Sequence, residues 1–194
     1  MPPKPKFTRE EIIEAALEIV RSQGPRALTA RALGDRLGSS ARPIFTVFHS
    51  IEEVQKEVLS SARRLYNGYI QEGLSRERLP FKGVGEQYIR FAMEEPWLFQ
   101  LLFMREQAGV QGVGLILPLI DENYELILRS VQEEYGIERL SAHSLYQNLW
   151  IYTHGIASLC VTGMCRFSEK EISDMLTEVF KGLLLQKKRG ENND

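Results

Sequence analysis

Three hydroxyl residues stand three positions ahead of a glutamate at the head of an apolar run: Thr8 with Glu11, Ser50 with Glu53, and Ser168 with Glu171. Each pair spells a capping box, in which the hydroxyl takes a backbone N–H at a helix start and the glutamate takes one in return. Between these starts and the stops at Gly24-Pro25, Gly38 and Gly136, apolar residues recur at helical spacing. No stretch alternates with the period of a half-buried strand. The chain is expected to be all-α, with about nine helices.

The first helix begins at Thr8, with Phe7 and Ile12 placed as a hydrophobic staple and Ile13, Ala16, Leu17 and Val20 as its apolar stripe. The second takes Thr29 as N-cap, buries Ala30, Leu33 and Leu37, and ends at Gly38. A third is expected from an N-cap at Ser40, which puts Pro43 at the third helical position, where its missing N–H costs no bond. A long fourth helix spans about 50–73. Further helices are expected at 81–94, 96–104, 117–135, 141–164 and 168–187, and the glycines at 109, 112 and 114 mark Arg105 to Gly114 as a mobile loop. Residues 1–52 form one domain, 50–73 a connector, and 53–194 a second domain.

Composition narrows the function. Of 194 residues, 43% are hydrophobic and 26% charged, a profile of globular proteins. Residues 1–50 carry eight Lys or Arg against five Asp or Glu, and 51–194 carry sixteen against twenty-one, so +3 and −5 make the net −2. A small basic segment is attached to an acidic body. Between Gly24 and His49, Arg26, Arg31, Arg36 and Arg42 meet Asp35 alone. No secretory signal is seen, and the longest apolar run, Leu115 to Ile120, is broken by Pro118 and far short of the ~20 residues a bilayer needs. Cys160 and Cys165 fit no metal or redox spacing and read as reduced thiols. A cytoplasmic protein without metal, cofactor or membrane is expected.

From Leu28 to Phe48 a short capped helix, a turn at Gly38 and Ser39, and a second short helix follow one another, the order of a helix-turn-helix. Ile44, Val47, Phe48 and Ile51 make a core stripe. That leaves Arg42, Phe45, Thr46 and His49 outward, a composition suited to the major groove: Arg42 for two hydrogen bonds to guanine, Thr46 for an acceptor or a thymine methyl, Phe45 for an apolar contact. Thr29 and the free N–H groups behind it are placed for a backbone phosphate. The plainer alternative is two short core helices with solvated polar faces.

Here the chain resembles the TetR family of transcriptional regulators. The likeness runs from Thr8 to about Val58, through GPRALTARALGDRLGSSARPIFTVFHSIEEV, and more weakly through EEPWLFQLLFM and WIYTHGIASLCVTG. It implies phosphate-side roles for Thr29 and Arg31 and groove-facing roles for Ser40, Ala41, Arg42, Pro43, Phe45, Thr46 and His49. It also implies a homodimer on double-stranded DNA and a repressor responsive to a small apolar or amphipathic effector. Three positions depart from the family pattern: Phe45 replaces a usual Tyr, Ile51 a frequent Lys, and Ser39 an apolar turn residue. The charge lost at Ile51 leaves room for Lys4, Lys6 or Lys56 to contribute.

In the body, Ile172, Met175, Leu176, Val179, Phe180, Leu183 and Leu184 form a seam along the last helix, and Leu145, Leu149, Tyr152, Ile156, Leu159 and Met164 spread around the preceding one. A four-helix dimer interface is expected, with Leu159, Met175, Leu176, Val179, Phe180 and Leu183 in it. Aromatic and thioether residues are dense, and an effector cavity is expected near Trp97 and Phe103, with Met104, Tyr124, Trp150 and His154 as further contacts. An enzyme is disfavoured: the glycines lack a phosphate-loop context, no nucleophile has a base partner, and His143 and His154 lie ~16 Å apart along their helix. A helical adaptor, or an interaction dimer without sequence-specific DNA binding, is the rival.

Overall fold

The computed structural model describes residues 5–75, 80–105 and 112–191, and among them there are helices and no strand. The α-helices are α1 (Arg9–Gln23), α2 (Ala30–Arg36), α3 (Ile51–Leu74), α4 (Pro80–Glu94), α5 (Pro96–Phe103), α6 (Val113–Ile120), α7 (Tyr124–Tyr135), α8 (Arg139–Val161) and α9 (Glu169–Glu191). Single 3-10 turns occupy Pro25–Ala27 and Ile44–Thr46. Lys4 and Gly109 lie outside the described residues.

Local chemistry explains the ends. The Thr8 hydroxyl accepts the Glu11 N–H at 3.1 Å while Glu11 accepts the Thr8 N–H at 2.8 Å, and Ser168 and Glu171 repeat the exchange. At α3 the box is altered. Ser50 still accepts from the Glu53 N–H at 3.3 Å, but Glu53 reaches one residue further back, to the His49 N–H at 2.8 Å.

Two expected helices differ. The α-helix capped by Ser40 is absent, and in its place Ile44, Thr46 and Val47 each donate to the carbonyl three residues back, a 3-10 pattern. A proline disfavours the α region for the residue before it, here Arg42, so an α-helix begun across this point is at a disadvantage. The helix expected over 117–135 is two helices. Asp121 closes α6 with an extended backbone, its Oδ1 accepting the Asn123 N–H at 2.9 Å, and α7 starts afresh at Tyr124. The end of the expected glycine loop is already helical, with Gly112 as N-cap and Gly114 inside α6.

The helices gather into two compact units, which divide the chain within α3. The first runs to Leu65 and takes back Glu95–Arg105, which carries α5. Its core joins Ile12, Ala16, Ile19 and Val20 of α1 to Leu33, Ile44, Phe48, Val54, Leu98 and Phe99. Burying Phe48 alone contributes about 1.5–3 kcal/mol. Glu95, ahead of α5, is buried and hydrogen-bonded to the Arg21 Nε at 2.8 Å. The second unit takes Tyr66–Glu94 and the chain after residue 105, with α4 packed against α7, α8 and α9. Its core includes Ile89, Phe91, Leu117, Ile127, Leu128, Val131 and Leu145.

Candidate functional site

In the first unit the exposed residues between Thr29 and His49, interrupted by the buried Leu33, Gly34, Ile44 and Phe48, are the candidate strip. Thr29 caps α2, its hydroxyl accepting the Ala32 N–H at 3.1 Å. After α2 the chain turns at Gly38, whose φ of +62° is left-handed and suits glycine. The Ser39 N–H returns to the Gly34 carbonyl at 2.9 Å, which folds the turn back onto α2. Gly34 makes this possible: a Cβ there would stand 2.9 Å from the Ala41 nitrogen and the Ser40 carbonyl carbon. Ile44 and Phe48 then point into the core, and the residues between and beside them are left outside.

Arg42, Thr46, His49, Ser40, Thr29 and Arg31 are exposed, Phe45 is 44% exposed, and Ala41 and Pro43 are half-buried. Phe45 is a large apolar ring in contact with water for no reason of core packing. The Thr46 hydroxyl donates to the Pro43 carbonyl at 2.7 Å, so it offers a neighbour its methyl group and its lone pairs. The cations differ in their partners. Arg36 is ion-paired with Glu18 of α1, which the sequence did not reveal. Arg31 stands 4.0 Å from Asp35, and Arg42 and Arg26 have no ion pair among the described residues. Lys6 donates to the Ser39 hydroxyl at 3.1 Å and so adds its charge to the turn. Arg9 lies over the Phe48 ring at 4.2 Å and binds Glu53 and Glu57, tying α1 to the head of α3 beneath the strip.

The second unit holds a cavity of about 270 Å³. Its wall is almost wholly apolar, with rings from α4 (Phe81, Tyr88), α8 (Tyr146, Trp150) and α9 (Phe180). Asp121 is the carboxylate at the wall, buried, with Oδ2 accepting the Tyr146 hydroxyl at 2.7 Å. Burial raises its carboxyl above the usual aspartate range, and the bonds from Tyr146 and Asn123 pull it partly back. Burial, followed by the charge of Asp121, pushes the Tyr66, Tyr88 and Tyr146 hydroxyls well above their ordinary value.

Of the six residues expected at an effector, Trp150 lines this cavity. His154 stands behind the wall, stacked on Trp150 at 4.8 Å and hydrogen-bonded through Nδ1 to the Tyr88 hydroxyl at 2.9 Å. Tyr124 stacks on Tyr146 and bonds His143. Trp97 and Phe103 of α5, and Met104 that follows it, belong to the first unit and are not among the residues lining the cavity. Trp97 covers Gly24, where a Cβ would come within 2.9 Å of its ring.

The expected seam on α9 divides between two faces. Leu176 and Phe180 line the cavity, with Phe180 against Phe81 and Tyr135. Met175, Val179 and Leu183, with Leu159 of α8, are half-buried on other faces. The sequence reading missed Gly34 and Asp121, and it named Lys6 without its bond to Ser39. Asp121 carried a signal, since Asp two residues before Asn after an apolar run is a turn former. Among the described residues no helix is long and apolar enough to cross a membrane, and no group of His, Cys, Asp and Glu could hold a metal ion.

Compared with known proteins, the sequence matches no family model and no curated protein.

Proposed function

We propose that the chain is a sequence-specific DNA-binding regulator of transcription, a homodimer that represses from a two-fold-symmetric operator and whose second unit senses an apolar or amphipathic small molecule. The observation that carries this reading is the exposed strip from Thr29 to His49. A capped short helix and a glycine turn are followed by an arginine without an ion pair among the described residues and by an exposed phenylalanine, threonine and histidine, in a protein whose remainder is acidic. In this reading α2, the Gly38 turn and the turn at Ile44–Thr46 act as a helix-turn-helix with a shortened second helix. Thr29, Arg31 and Lys6 serve phosphates, and Ser40, Ala41, Arg42, Pro43, Phe45, Thr46 and His49 face the groove. The resemblance to TetR regulators supports the same assignment, and the cavity of the second unit supports the sensing role.

Footprinting on the DNA flanking the protein's own coding region tests it. Protection of two inverted half-sites is the expected result. Uniform weak binding to every duplex, or none at all, overturns it in favour of a helical adaptor.

A further inference from the structure

We propose that the cavity of the second unit takes a cation: a protonated amine on an apolar body of about two rings, its charge set against Asp121. This rests on reading that unit as a small-molecule sensor and specifies what it senses. The size follows from volume. An apolar cavity of ~150 Å³ holds one benzene ring, and this one is about 270 Å³. The sign of the charge follows from which groups are left unanswered.

Asp121 is 3% exposed, yet no Lys or Arg lies within ion-pair reach of it among the described residues. One oxygen accepts the Tyr146 hydroxyl and the other the Asn123 backbone N–H, and the Asn123 side chain adds a further bond. A carboxylate has about four acceptor sites, so part of its capacity remains. Tyr146, its hydrogen given to Asp121, keeps lone pairs as well. This end of the cavity therefore offers acceptors and negative charge, and a buried carboxylate without a counter-ion gains most from a ligand that brings one. The rings of Tyr66, Tyr88 and Trp150, which line the same cavity, suit the same guest, because aromatic faces attract cations. Two lysines also line the cavity, but they do not reverse the sign. Lys82 is answered by Glu86 at 3.7 Å, and Lys181 is exposed, where water screens it.

The test uses the free full-length protein, without DNA, in calorimetry with three probes of one size: naphthylmethylamine, naphthylmethanol and naphthylacetate. The amine is expected to bind about tenfold or more tightly than the alcohol, with the acid weakest. The preference should survive from about 0.02 M to about 0.5 M salt, since a buried pair is little screened. Asp121→Asn keeps an oxygen for the Asn123 N–H and should bring amine and alcohol to equal affinity. The proposal falls if the alcohol or the acid binds as well as the amine, or if none binds at about 1 mM. It also falls if the amine preference vanishes at high salt or persists in Asp121→Asn. The salt series needs no variant, so a poorly folded mutant leaves the question decided. Amine binding with no footprint would remove the DNA reading and leave this one, and a footprint without amine binding would do the reverse.

Discussion

Arg42 owes its availability to what surrounds it. Arg36, one turn earlier, is held by Glu18, whereas Arg42 sits just before Pro43 with no carboxylate in reach among the described residues. If it reads a base, Arg42→Ala should cost about 1–3 kcal/mol of specific affinity and relax preference at one position per half-site. Titrations on specific and random duplexes separate the cases, since an equal loss on both would make Arg42 a phosphate contact. His154 gives a prediction about pH. Burial keeps its imidazole below the usual 6.5, so near neutrality the folded state holds it uncharged while the unfolded chain takes up the proton first. Its contribution is complete above the unfolded value and is lost as pH falls toward the folded one. Thermal midpoints of His154→Gln should therefore fall less steeply than wild type between about pH 7 and 5. An unchanged slope would mean that the imidazole titrates alike in both states. Residues of this kind were unevenly legible: Trp150 was found by its type, but Asp121 and Tyr146 matter through a contact between residues 25 apart, which no local pattern encodes.

Among the elements, those governed by neighbours in sequence were readable and those governed by packing were not. Thr8, Thr29 and Ser168 cap their helices as their spacing requires. The number of α-helices also agrees with expectation among the described residues, but by two compensating differences: the helix expected from Ser40 is a single 3-10 turn, and the Asp121 turn divides another. Periodicity continued across 117–135 because both α6 and α7 need apolar faces, and only the Asp-to-Asn turn marks the break. Gly34 is the clearest case of an element fixed by tertiary approach. Alanine there would favour α2 by about 0.5–1 kcal/mol, but its Cβ would press on backbone atoms of Ser40 and Ala41, which cannot turn aside as a side chain would. Overpacking typically costs about 1–3 kcal/mol, so Gly34→Ala should lower the thermal midpoint despite its better helix propensity. A raised midpoint would show that the turn moves off α2 at little cost.

For the whole molecule, the dimer remains the proposal on which the operator depends. Leu183→Glu places a charge on the half-buried stripe of α9 that Met175 and Val179 share. Sedimentation should then give monomers with helical content retained, because an unpaired charge is costly in an apolar interface; an unchanged mass would make the stripe internal. Identical reading heads in the dimer require inverted half-sites about 34–36 Å apart or a multiple of it, and a one-sided footprint would count against two-fold pairing. The first unit borrows α5 from beyond residue 94, which also sets an order of events during synthesis. When Leu65 has left the ribosome, the surface of α1 that α5 will cover is still bare, and the chain must grow past residues 66–94 before Leu98, Phe99 and Leu102 arrive to close it. At ~5–20 residues per second that delay lasts on the order of seconds, long compared with helix formation. A nascent chain paused there carries an open apolar surface, a natural place for a chaperone to bind.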